Sequence, residues 1–171
     1  MLDAPTQPKS PFEIALAFVL EREGGAVITN DPHDPGGLTK WGISKRAHPE
    51  VDIQALTREG AAAIYRSDYW LPTGCEELPP AVAVVLFDSA VNQGASTAVK
   101  LLQFSVGVNP DGVVGPKTLR AVQTIGTRYV VREFLARRLH RYMQTKGFDV
   151  FGPGWIKRVL LAHEASIGVA A

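Results

Sequence analysis

Along most of this chain, apolar residues recur at spacings of three and four, the period of helices that bury one face. The first such stretch opens at Ser10-Pro11-Phe12-Glu13. Ser10 reads as an N-cap, Pro11 fits the first turn, and Glu13 completes a capping box. The spacing predicts a helix reaching Arg22 or Glu23, stopped by Gly24-Gly25. Residues 26–40 are crowded with Asn, Asp, Pro and Gly and predict a loop or short hairpin. Within it, Gly25–Thr29 and Leu38–Ile43 are candidates to pair as a small β element.

Further helices are expected over 58–70, capped by Thr57, and over 80–92, opened by Pro80. Others follow over Ala95–Val106, closed by Gly107, and from Gly115-Pro116 to about Ile125. A longer one spans Thr127–Lys146, with Val131, Phe134, Leu135, Leu139 and Tyr142 on one stripe. Gly152-Pro153-Gly154 reads as a break before a last helix from Trp155. The expected fold is mainly α, with a small loop or β element after the first helix. No low-complexity linker or repeat divides the chain, so residues 1–171 read as a single globular domain.

With 171 residues, 46% hydrophobic and 20% charged, the chain is long enough to bury a sizeable core. A net charge of +1 gives no overall field pointing to nucleic acid. The charge is uneven: 8 Lys/Arg against 14 Asp/Glu through residue 115, then 10 against 3 beyond it. The basic end suits an anionic polymer, or is simply a set of solvated helix faces. The single cysteine, Cys75, has acidic neighbours that disfavour a thiolate, which points to a structural thiol. The four histidines are scattered and no HExxH is present, so a zinc site is disfavoured and no cofactor is expected. No P-loop, dinucleotide fingerprint or GxSxG occurs. The longest apolar run, Ala81–Phe87, is too short to span a bilayer, and the first residues do not read as a signal peptide. The expectation is synthesis in the cytoplasm, with a separate holin-like route of release to any cell-wall substrate.

The chemistry concentrates around the end of the first helix. Phe12, Leu16, Val19, Leu20 and Glu23 share one face, so an apolar stripe ends in a carboxyl group. Partial burial and the helix C-terminus both favour its protonated form, which can give a proton to a leaving group. The alternative is a surface glutamate at a frayed helix end. The loop that follows brings Asp31, Asp34 and Thr39 close in sequence. Glycoside hydrolysis uses one protonated and one ionised carboxyl, roughly 6.5–9.5 Å apart in inverting sites, and a threonine hydroxyl can orient the water. Trp41, Tyr69 and Trp70 can offer ring faces to sugars or pack in the core. Asp88 and Asn92, four apart on an apolar helix, either brace the catalytic loop or bind N-acetyl groups.

The run from Glu23-Gly24-Gly25 through Asn30-Asp31-Pro32-His33-Asp34-Pro35-Gly36-Gly37-Leu38-Thr39-Lys40-Trp41-Gly42-Ile43-Ser44 resembles the signature of glycoside hydrolase family 108. The likeness continues at Tyr65–Trp70, Asp88–Gly94, Leu101-Leu102-Gln103 and Asp111–Leu119, and covers about residues 12 to 160. It implies a lysozyme-like, mainly α fold, with a catalytic part over 12–94 and a C-terminal helical, peptidoglycan-binding part over 95–165 packed on it. It also implies a muramidase that cleaves the β-1,4 bond between N-acetylmuramic acid and N-acetylglucosamine. Glu23 matches the family's catalytic glutamate. The spacing departs from the Glu–Asp–Thr triad of phage-type lysozymes: ten residues separate Glu23 from Asp34 and four separate Asp34 from Thr39. The second carboxylate therefore rests between Asp31 and Asp34, with Asp34 preferred for the Gly36-Gly37 turn behind it. The expected partner is the peptidoglycan glycan strand, bound by a monomer that neither inserts in membrane nor binds nucleic acid. Two alternatives stay open: a lytic transglycosylase, in which the muramyl sugar's own hydroxyl replaces water, and a non-catalytic peptidoglycan-binding protein.

Overall fold

The computed structural model describes residues 9–30 and 37–170. Among them are seven α-helices and one two-stranded sheet. The helices are α1 (Pro11–Arg22), α2 (Arg58–Tyr65), α3 (Pro80–Gln93), α4 (Ala95–Ser105), α5 (Pro116–Ile125), α6 (Thr127–Met143) and α7 (Phe148–Ala170). The strands are β1 (Thr39–Lys40) and β2 (Ile43–Ser44). No helix among the described residues is long and apolar enough to cross a membrane.

Helix α3 is the axis of the fold. Every residue from Ala81 to Ala90 is buried, as expected for a helix that is apolar on all sides. Helices α1, α4, α6 and α7 all pack against it. The core is therefore continuous from Phe12 and Leu16 on α1 to Val159 and Ala162 on α7. Burying these side chains drives the assembly, at roughly 1.5–3 kcal/mol for each large aliphatic or aromatic residue.

Local signals set the ends of α1 as anticipated. The Ser10 backbone N–H donates to the Glu13 carboxylate at 2.7 Å, and the Glu13 N–H donates to the Ser10 hydroxyl at 3.2 Å. At the other end Gly24 and Gly25 take φ of 87° and 59°, and the Gly25 N–H reaches back to the Leu20 carbonyl at 2.9 Å. That closure leaves Glu23 as the C-cap residue.

Two expectations about helix shape need correction. The helix expected over 58–70 is α-helical only to Tyr65; Arg66–Trp70 form a π-helical turn, with the Leu71 N–H bonded to the Arg66 carbonyl at 3.0 Å. The wider turn lets Trp70 pack between Phe12 and Phe87, at ring separations of 5.2 and 5.5 Å. The second concerns Gly152-Pro153-Gly154, which does not break the chain: α7 runs through it from Phe148. Pro153 removes one helical donor near the start of α7, where little of the helix precedes it. Gly152 has the Phe148 ring against it, so closely that a Cβ there would lie 2.9 Å from the ring. Trp155 then stacks on Tyr142 at 5.1 Å, which ties this turn to α6.

The C-terminal region is held together by polar bonds as well. The Gln103 side chain donates to Asp111 at 2.7 Å and to the Val113 carbonyl at 3.0 Å, and accepts from the Gly112 N–H at 2.9 Å. The Asp111-Gly112-Val113 turn is thus laced onto α4. The hydrogen bond from Gln103, with that from the Val113 N–H, holds the Asp111 carboxyl below the usual carboxylate range.

Deeper in, Asp88 on α3 and Arg138 on α6 form an ion pair at 2.5 Å with both side chains 0% exposed. Removing one partner of such a pair leaves a buried charge uncompensated. Asp88→Asn is therefore expected to destabilise the fold by about 3–5 kcal/mol, measured as a lowered urea midpoint at an unchanged slope.

Candidate active site

The site grows from the C-terminus of α1. The Glu23 backbone N–H still bonds to Val19, so the last helical turn fixes its direction. Its side chain is 27% exposed, between the core and solvent. Above it lies the β1–β2 hairpin. Trp41 and Gly42 form the tight turn, with φ of 58° and 74°. Positive φ at both central residues is the geometry of a two-residue hairpin turn. It is strained for a tryptophan, and the surrounding bonds hold it there. The Trp41 N–H donates to the Gly25 carbonyl at 2.9 Å, and the Tyr65 hydroxyl donates to the Trp41 carbonyl at 2.9 Å.

Gly42 is pressed onto the glutamate. A Cβ at this position would sit 2.6 Å from the Tyr65 hydroxyl and 2.7 Å from the Glu23 Cβ. Reciprocal backbone bonds of 2.9 Å join Thr29 to Thr39 and close the base of the intervening segment beside this turn. The expected pairing of Gly25–Thr29 with Leu38–Ile43 is realised at that bridge, and the hairpin itself adds Ser44 opposite Thr39.

Beneath Glu23 lies a chain of charges. Arg158 on α7 places Nη1 2.8 Å from Glu23 Oε1. Its Nε donates to Asp88 Oδ1 at 2.8 Å, and Nη2 lies at the same distance from that oxygen without the alignment of a hydrogen bond. Asp88 Oδ2 accepts from Arg138, whose Nε donates to the Tyr142 hydroxyl at 3.1 Å. That hydroxyl donates in turn to Asn92 Oδ1. Two carboxylates and two guanidiniums alternate, so the cluster is formally neutral. Burial alone would lower the Arg158 pKa, but Asp88 and then Glu23 together hold it above the ordinary arginine value.

The aromatic wall is tyrosine. Tyr65 is buried, and burial, followed by the nearby Glu23 charge, pushes its hydroxyl far above the usual phenol range. Tyr69 is raised as well, by burial first and then by Asp68 and Glu23. The two rings lie 5.8 Å apart.

The residues singled out from sequence fall into distinct places. Glu23, Trp41 and Tyr69 come together here. The Thr39 hydroxyl donates to the Gly37 carbonyl at 3.0 Å, turned toward its own loop. Trp70 is 2% exposed, as its core-packing alternative describes, and its indole N–H donates to Glu76. Among the described residues, Asp88 contacts neither the loop nor solvent: both its oxygens are taken by arginines, of α6 and of α7. Asn92 is exposed at the end of the same chain of bonds. Asp31 and Asp34 lie outside the described residues. Sequence reasoning missed Arg158, Tyr65 and Gly42. Arg158 was detectable: it stands three residues from both Trp155 and Leu161 and four from Ala162, on the inward stripe of α7.

The chain is similar to known proteins over most of its length. Residues 16–94 match the family model Glycosyl hydrolase 108, and residues 97–160 match a Predicted Peptidoglycan domain. The solved structure of Brucella abortus SagA is similar at 34% identity, with a TM-score of 0.80, over 92% of this chain and 94% of that one. No protein of curated function matches. With the fold, the glutamate block and near-complete coverage of a relative in agreement, this chain belongs to glycosyl hydrolase family 108 and is a peptidoglycan hydrolase, an N-acetylmuramidase.

Proposed function

We propose that Glu23 is the general acid of this muramidase. The observation that carries the assignment is its setting: a partly exposed carboxyl fixed by a helix end, covered by the Gly42 turn and paired to Arg158. In the proposed reaction Glu23 gives its proton to the oxygen linking N-acetylmuramic acid to N-acetylglucosamine. The C1–O bond breaks, its electron pair leaving with that oxygen. Water adds to C1, and its proton passes to a second carboxylate, Asp34 or Asp31. The closed Thr29–Thr39 base supports that role, since it joins the segment carrying both aspartates to the hairpin over Glu23. Thr39 orients the water or the loop. Trp41 and Tyr69 line the sugar path with their rings, Asn92 lies further along it, and Trp70 supports it from the core.

The 12–94 and 95–165 parts act as one globular unit in this reading, because the core runs through both. The enzyme works as a monomer at the cell wall, on glycan strands and not on nucleic acid. The near-neutral net charge of +1 is in keeping with this.

Two variants and the products of digestion test the site. Glu23→Gln should remain folded and lose about 10²–10⁴-fold in the release of reducing ends from purified sacculi. Near-normal release would remove Glu23 from the chemistry. Mass spectrometry of the same digest should show muramic acid reducing ends; anhydro ends would identify a transglycosylase instead. Gly42→Ala puts a methyl group against both Glu23 and Tyr65 at a φ of 74°. Its activity is expected to fall by roughly tenfold or more, since small misplacements of a reacting group are expensive, and the loss should exceed what its thermal stability explains.

A further inference from the structure

We infer that Arg158, contributed by the C-terminal helix, is the positioning residue of the active site, orienting Glu23 and stabilising the charge it takes on as it gives up its proton. The inference rests on the assignment of Glu23 as the acid. Arg158 lies within the stretch 97–160 that resembles a peptidoglycan-binding domain, so that stretch completes the catalytic centre as well as meeting substrate.

The geometry is that of a clamp. The Arg158 guanidinium spans two carboxylates, Glu23 through Nη1 and Asp88 through Nε, each at 2.8 Å. Its side chain is 13% exposed, while Asp88 is fully buried and anchored in turn by Arg138. A planar fork held at its far side by a fixed anion cannot follow solvent motions, as a lysine ammonium would. The Glu23 side chain is therefore fixed from below by Arg158 and from above by Gly42.

The electrostatic consequence follows from the reaction. As Glu23 gives up its proton it becomes a carboxylate, and a guanidinium 2.8 Å away stabilises the charge that develops. The other titratable groups around Glu23 are Tyr65 on α2 and Tyr69 on the π-helical turn, both neutral phenols in the working range, and Asp88 on α3 behind Arg158. Arg158 is thus the facing cation among the described residues with a direct contact to the carboxyl group.

The test compares rates of reducing-end release from sacculi, and sedimentation with them, for wild type, Glu23→Gln, Arg158→Lys and Arg158→Met, with folding checked by circular dichroism. Arg158→Met removes the group that orients Glu23 and stabilises its developing charge. Its maximal rate is expected to fall roughly 10- to 100-fold while sedimentation with sacculi stays at the wild-type level. Arg158→Lys, which keeps the charge but not the planar fork, should recover part of the rate. Should Arg158→Met not fold, Arg158→Gln removes the charge but keeps a hydrogen-bonding side chain beside the intact Asp88–Arg138 pair, and carries the same comparison. A folded Arg158→Met or Arg158→Gln variant with the wild-type rate overturns the inference while leaving Glu23 as the acid. A Glu23→Gln enzyme with near-normal activity overturns the assignment of Glu23, and this inference with it.

Discussion

The structure depends on a buried alternation of charges: Glu23, Arg158, Asp88 and Arg138. Each is expensive to bury alone, and each is tolerable because its neighbours have the opposite sign. The alternation joins four helices. Glu23 caps α1, Asp88 sits midway along α3, Arg138 comes from α6 and Arg158 from α7. Apolar packing could bring these helices together in several nearby registers, because aliphatic side chains adapt to small slides. Fixed ion pairs at 2.5 and 2.8 Å between them are far less forgiving. We read the cluster as a device that fixes register, at a cost in desolvation that a wholly apolar core would avoid.

That register is what the active site needs. A general acid must lie within hydrogen-bond reach of its leaving group, so the useful precision is a fraction of an ångström. Here the hairpin supplies the upper constraint and α7 the lower one. The strained Trp41 backbone belongs to the same arrangement: its N–H and carbonyl are both held, one by Gly25 and one by Tyr65. A relaxed turn would lift Gly42 away from Glu23.

Most of the fold was legible because helical punctuation is local. Ser10 and Glu13, Gly24 and Gly25, Pro80 and Pro116 each mark an end that backbone chemistry alone determines. Glu23 was legible for the same reason, as the polar end of an apolar stripe. The failures arose where a distant contact decided the outcome. Gly152-Pro153-Gly154 stays helical because Phe148 and Trp155 pack around it and α6 receives them. The 66–70 segment widens into a π turn because Trp70 has a place between Phe12 and Phe87. Arg158 was lost among the basic residues of the C-terminal third, where charge is usually solvated. The distinguishing sign was its place on the inward stripe of α7, as Arg138 stands four residues from both Phe134 and Tyr142 on α6.

The division into a hydrolase part and a peptidoglycan-binding part follows two matched stretches of sequence, and the physics does not respect it. A separable module has its own core and meets its neighbour through a modest, polar interface. Here α3, from the first stretch, is buried by α4, α6 and α7 from the second. Without them its continuous apolar surface from Ala81 to Ala90 would face water, and Asp88 would lose both its arginines. The C-terminal helices therefore supply about a third of the buried core and one side of the glutamate's pocket. In the proposed reading, any affinity they have for the wall is carried by the outer faces of the same helices, and the helices that hold Glu23 in place also meet the substrate.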